Sequence, residues 1–206
     1  MGFITKFLLP RQIDFNAALL AQAQACKSMV GDLYRACVDN DINLLNTIQT
    51  AAQQERTLKE RNMTLLLGVF ITPYDKESIY RMITELDWVT LSVRHFQLET
   101  QVYELHSLSE YEAILAVLLE MVAALEGGIL ALPEKRLASI ETSTRSIHDQ
   151  YDSLIDLCAK ATAQLMAQDD IKRIIRHKDM LLQLKEIAKR IHIAANTLED
   201  MAIKVI

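Results

Sequence analysis

Apolar residues recur at helical spacing in six blocks, set apart by short polar or proline-bearing breaks. The blocks predict helices over about 12–38, 41–70, 73–105, 109–131, 134–167 and 170–204. Within the fifth, Ile140, Thr144, Ile147, Tyr151, Leu154, Cys158, Ala161 and Leu165 fall on one stripe. Leu184, Ile187, Ile191, Ala194, Leu198, Met201 and Val205 do the same in the sixth. Several blocks exceed 25 residues, the length of helices in an elongated bundle. No block alternates with period two, so the expected fold class is all-α.

The breaks have their own chemistry. "DNDIN" (39–43) divides the first two helices and "QDDIK" (168–172) the last two. Pro10, Pro73 and Pro133 precede the first, third and fifth. In "LLLGVFITPYDKESIYRMITELDWV" (65–89), Thr72 is the expected N-cap, Pro73 the first helical residue, and Asp75 an anion near the positive helix start. In "HSLSEYE" (106–112), Ser109 and Glu112 have the spacing of a capping box. Gly127-Gly128 are expected to fray or kink the fourth helix. Leu86, Val89 and Val93 precede Leu184, Ile187 and Ile191 by 98 residues, which suggests two related halves, 12–105 and 109–204.

Composition narrows the picture. The chain has 206 residues with only 5 Gly and 3 Pro, and 6% aromatics, which suits helix over sheet. Net charge is −5, and the basic runs at 172–176 and 185–190 are interleaved with apolar residues, so no nucleic-acid partner is expected. Cys26, Cys37 and Cys158 form no CxxC pair and read as core thiols in a reducing, cytoplasmic setting. "MGFITKFLLP" is short and ends at Pro10. It reads as a segment packed on the bundle rather than a secretory signal. No run holds about 18 uninterrupted apolar residues, so no transmembrane helix is expected.

Catalytic chemistry finds no foothold. There is no Glu-x-x-His of the diiron bundles, no Gly-rich phosphate loop, and no local Ser–His–Asp or Cys–His arrangement. No enzyme activity or cofactor is expected. The five histidines (95, 106, 148, 177 and 192) read as surface or boundary residues. Asp152 and Asp156 lie one turn apart, a spacing usable by a hard metal but more simply that of a solvated edge. Asp87, Glu55 and Glu186 are the other acids of interest.

One motif carries a resemblance. Phe70 to Glu77 ("FITPYDKE"), with Ile79, resembles a turn of the PhoU-like phosphate transport regulators, in the branch found beside Pit-type phosphate permeases; Ser78 stands where that pattern has Asp. The start "FLLPRQIDFNAALL" and the closing helix, with Ala195-Asn196 and Glu199 to Ile203, are similar too. The resemblance implies two repeated three-helix bundles and a non-catalytic regulator of phosphate uptake. It would contact a permease or another regulatory protein from the cytoplasmic side, at the inner membrane face, with homo-oligomerisation compatible. It also implies metal-binding Glu/Asp-x-x-x-Asp motifs on the second and third helix of each half. Those positions fall here on Ala52 and Arg56, Asp87 and Leu91, Tyr151 and Ile155, and Lys185 and Lys189. Only Asp87 is acidic, so no metal cluster is expected, and Asp87 should pair with a cation, Lys185 being the candidate, or face solvent. A shifted register would bring in Asp152, Asp156, Glu55 and Glu186. Two other readings stay open: a metal-binding bundle using Asp87, Asp152 and Asp156, and a helical interaction module unrelated to phosphate.

Overall fold

The computed structural model describes residues 13–204. They form six α-helices: α1 (Phe15–Val38), α2 (Asn46–Leu67), α3 (Lys76–Val102), α4 (Glu112–Ala131), α5 (Leu137–Met166) and α6 (Ile171–Ile203). No strand occurs among the described residues. The segment "MGFITKFLLP" with Pro10, the expected helix start at residue 12, and Val205 lie outside them.

Each helix contributes one apolar stripe. The stripes of α5 and α6 are those read from the sequence, with Ile140, Ile147, Leu154 and Cys158 facing Leu184, Ile187, Ile191 and Leu198 in the interior. The helices α1, α2 and α3 pack on one another, as do α4, α5 and α6, and the two groups join through α1 against α4 and α3 against α6. Thus α3 and α6 lie side by side on one broad face and α1 and α4 on the other, with α2 and α5 at the far edges. Ser78 meets Asp200 at one end of the α3–α6 pair and Tyr103 meets Asp179 at the other, so the two run antiparallel.

The helix ends differ from the sequence expectation, and packing supplies the reason. Thr72 is not the cap and Pro73 is not helical. Helix α3 starts at Lys76, with Asp75 accepting the Ser78 N–H at 3.1 Å. Tyr74 is drawn into the interior, where its hydroxyl meets Asn16 at 2.5 Å; the turn is held two residues later than the proline suggests, and Thr72 donates to the Tyr74 carbonyl instead. Likewise Ser109 forms no capping box. Residues Ser109–Tyr111 make a 3-10 turn that sinks Tyr111 against Phe96, and α4 begins at Glu112. A second such turn, Ile42–Leu45, precedes α2, and α5 begins at Leu137 rather than straight after Pro133. Helices α1, α3 and α4 end on left-handed residues that are not glycine: Asn40 (φ 49°), Glu104 (φ 53°) and Lys135 (φ 51°).

The glycine pair does not fray α4, which runs unbroken through it. Gly128 is where α4 meets its neighbours: a Cβ there would lie 2.5 Å from Leu198 Cδ2 and 3.3 Å from Ser143 Cβ. The span Ser109–Ala131 is, by length and composition, apolar enough to cross a membrane, although acids interrupt its apolar run. In this fold it is a core helix, with Leu115, Leu118, Met121 and Leu125 buried among α1, α5 and α6.

Candidate functional site

A buried polar cluster joins α1, α2 and α3. Inward positions of α2 recur every seven residues, at Ile48, Glu55 and Asn62, so two of its four buried side chains are polar. Buried Gln22 of α1 donates to Glu55 Oε1 at 2.7 Å, and Asn62 donates to Gln22 Oε1 at 2.9 Å. Thr90 of α3 donates to the other Glu55 oxygen at 3.0 Å. Both carboxylate oxygens are therefore satisfied by neutral donors. Burial pushes the Glu55 carboxyl above its ordinary range, the two hydrogen bonds oppose the shift, and the nearby Asp87 charge adds to it.

At the rim of this cluster Asp87 of α3 forms an ion pair with Lys59 of α2, four residues along from Glu55. The pair is partly shielded, with Asp87 18% and Lys59 31% exposed at the side chain. Pairing was one of the two expectations for Asp87, but the partner is Lys59 and not Lys185. Lys185 lies on the side of α6 that borders Cys158 of α5 instead.

All three cysteines are buried and free. Burial, then the Glu55 carboxylate, push the Cys26 thiol up, and its Sγ donates to the Leu86 carbonyl at 3.3 Å. Cys158 is raised to about 11. Neither thiol is an accessible thiolate nucleophile.

The other half has smaller polar contacts at its interior. Thr144 donates to Glu199 at 2.8 Å. His192 stacks on Tyr151, ring centroids 4.6 Å apart, and meets the edge of His148 at the same separation. One histidine departs from the surface reading: His177 is buried, with Nδ1 2.6 Å from the Tyr111 hydroxyl, and burial lowers its pKa. Asp152 and Asp156 are both exposed, and Asp156 pairs with Lys160 at 2.5 Å. Glu186 pairs with Arg190 at 2.6 Å. Among the described residues no three His, Cys, Asp or Glu side chains converge on a point that could hold a metal ion.

Solved structures share this architecture. A PhoU-like protein from Shewanella oneidensis MR-1 superposes with a TM-score of 0.77 over 92% of this chain and 100% of that one, at 13% identity. The fold is PhoU-like. The phosphate transport system regulatory protein PhoU from Streptococcus pneumoniae aligns over 89% of this chain and 91% of its own, with a TM-score of 0.67 and 14% identity. In sequence, the chain is 26% identical over 137 residues to the UPF0111 protein YkaA of Bacillus subtilis (strain 168), spanning 66% of this chain and 67% of that protein. No protein-family model matches the chain.

Within the PhoU-like fold, the positions that the sequence resemblance assigns to metal motifs are scattered in character. Arg56 is exposed and paired with Glu60 at 3.2 Å, Tyr151 is committed to the His192 stack, Lys189 is exposed, and Ala52, Leu91 and Ile155 are half-buried apolar residues. The cluster that reasoning from the loop register missed is Gln22–Glu55–Asn62–Thr90. Its signal was present: Glu55 and Asn62 continue the seven-residue stripe of Ile48, where a hydrophobe is the default.

Proposed function

We propose that this protein is a non-catalytic regulator or accessory of inorganic phosphate transport that works by offering helix faces to a partner. The observation that carries the reading is the PhoU-like fold over nearly the whole chain, shared with a phosphate transport system regulatory protein. The "FITPYDKE" turn at 70–77 adds to it from the sequence side. The two halves, 12–105 and 109–204, are on this reading two copies of one three-helix repeat. The partner is a phosphate permease or another regulatory protein, met at the cytoplasmic face of the membrane, and no nucleic acid is involved. Self-association is compatible with this role.

The charge pairing of the interior supports a role without a metal cluster. A multinuclear cation site needs converging anionic donors, because charge stranded in low dielectric is costly. Here Glu55 is satisfied by Gln22 and Thr90, and the rim charge of Asp87 is met by the Lys59 ammonium. On this reading the interior acids serve internal pairing rather than a cluster.

The test is a pull-down from membranes under phosphate-replete and phosphate-starved conditions, paired with phosphate uptake in a deletion strain. Recovery of a phosphate permease and altered uptake are expected. Unchanged uptake with an unrelated partner would leave only a helical interaction module. Elemental analysis after chelator-free purification separates a metal-binding bundle from a metal-free regulator. Near-stoichiometric iron, zinc or manganese lost on Asp87→Ala, or on Asp152→Ala, would establish the former and overturn the latter.

A further inference from the structure

Among the described residues, no element covers the outer face of the α3–α6 pair. Helix α3 is backed by α1 and α2, and α6 by α4 and α5, so their remaining stripes point outward side by side. Those stripes mix apolar side chains with polar ones such as Glu77, His95 and Lys178. More than half of the large hydrophobic side chains exposed among the described residues lie on these two helices. Trp88, Leu98 and Val102 follow one another along α3, and Ile171, Ile175 and Leu182 along α6. On the opposite broad face, α1 and α4 expose small or polar residues such as Gln24, Ser28, Glu112 and Glu120, with Val38 and Leu130 only at helix ends.

Positive charge gathers on the N-terminal part of α6. Residues 171–190 hold seven Lys or Arg and two acids, in a protein of net charge −5, whereas α3 holds three Lys or Arg and four acids, Glu77, Glu85, Asp87 and Glu99. The two acids are engaged within the seam, Asp179 by the Tyr103 hydroxyl at 3.0 Å and Glu186 by Arg190. Glu99, facing them from α3, accepts from Gln183 at 2.6 Å. Lys172, Lys178 and Lys189 stay exposed and enter none of the ion pairs among the described residues. The Arg190 guanidinium lies 4.6 Å over the Trp88 ring, so cation and aromatic share the surface.

We propose that this face docks on an anionic lipid bilayer surface. Aliphatic side chains and a tryptophan interleaved with lysines suit the headgroup boundary, where apolar groups enter the acyl edge and ammonium groups meet lipid phosphates. Two helices side by side, each tens of ångströms long, present an extended contact to a bilayer. A second copy of the chain would bury the exposed lysines of α6, and the vesicle experiment distinguishes that occupant through its concentration dependence. A nucleic acid backbone would leave the aliphatic residues between the cations unused. The inference goes beyond the phosphate reading and rests on the face alone. Its failure would leave that reading standing, since uptake and partner capture test the latter separately.

The experiment is sedimentation of the full chain with vesicles, at low salt. Binding is expected to phosphatidylcholine vesicles that contain phosphatidylglycerol, and not to phosphatidylcholine alone. Trp88 is the only tryptophan, so its emission should shift to the blue on binding and report this face directly. The triple variant Lys172→Glu, Lys178→Glu and Lys189→Glu should bind at least about tenfold more weakly. The variant Ile175→Ser with Val102→Ser should lose the blue shift while retaining the thermal midpoint of the parent, as these side chains are exposed. Absent binding, equal binding to both vesicle types, or an unchanged triple variant would overturn the proposal. So would a concentration-dependent dimer broken by Ile175→Ser, or an acidic protein partner lost in the lysine variants without any vesicle binding.

Discussion

Lys59 on α2 closes an ion pair with Asp87 on α3, at the edge of a buried cluster in which Glu55 is held by neutral donors alone. One cation thus serves the partly shielded carboxylate while the deeper one relies on Gln22 and Thr90. The electrostatic logic of this half of the protein is internal neutralisation.

Removing one member of the pair strands the charge of the other. Asp87→Ala leaves a two-thirds-shielded ammonium and Lys59→Met a more deeply shielded carboxylate, each expected to destabilise by about 1–2 kcal/mol. The double variant should lose less than the sum of the two. Denaturant midpoints in a double-mutant cycle check this, and strict additivity would show that the pair contributes no coupling.

The start of α3 gives a second contrast. Asp75 accepts from the Ser78 N–H and hydroxyl and is approached by Lys204, and these contacts hold its carboxyl below the usual range. Asp75→Ala should lower the thermal midpoint clearly, whereas Thr72→Ala should leave it nearly unchanged. Equal effects would mean that the cap lies elsewhere.

Adjacent glycines should respond with opposite signs. At Gly127 an added Cβ meets nothing nearer than Ser143 Oγ at 4.0 Å, so Gly127→Ala should stabilise by about 0.5–1 kcal/mol through helix propensity. At Gly128 the Cβ would strike Leu198 at 2.5 Å, and buried Leu198 has little room to yield. Gly128→Ala should destabilise by about 1–3 kcal/mol despite the same propensity gain. Urea midpoints of the two variants decide the matter.

Stability should carry a signature of Glu55. Its folded-state pKa is raised by burial, so the folded chain holds that proton more tightly than the unfolded chain does. The stabilisation from this group is complete below the unfolded value, near 4.5, and is lost as pH rises through the folded one. Glu55→Gln should therefore be more stable than the parent at about pH 7, with the difference shrinking towards about pH 4. A difference that grew on acidification would contradict the assignment.

The non-glycine helix ends can be relaxed as well. Glu104 stands at φ 53° just past α3, a conformation that costs a side-chain-bearing residue about 1 kcal/mol. Glu104→Gly is expected to raise the thermal midpoint, and a fall would show that the side chain contributes more than the strain removes.

The sequence by itself determined six helices and their inward stripes, because burial of one face imposes a period that needs no tertiary information. It also carried the PhoU-like fold through the turn at 70–77 and the order of helices. Helix ends were less legible. The residues that terminate α1, α3 and α4 are Asn40, Glu104 and Lys135, none of them the glycine that marks such ends, and buried Tyr74 and Tyr111 shift the following helix starts inward. Only the tertiary structure decided which charges meet. Lys59 and Asp87 are 28 positions apart, and their pairing depends on how α2 rotates against α3, which local periodicity does not encode. The same is true of the α3–α6 face: its lysines and aliphatic residues look like ordinary interleaved charge along the chain, and become one surface only when two distant helices lie side by side.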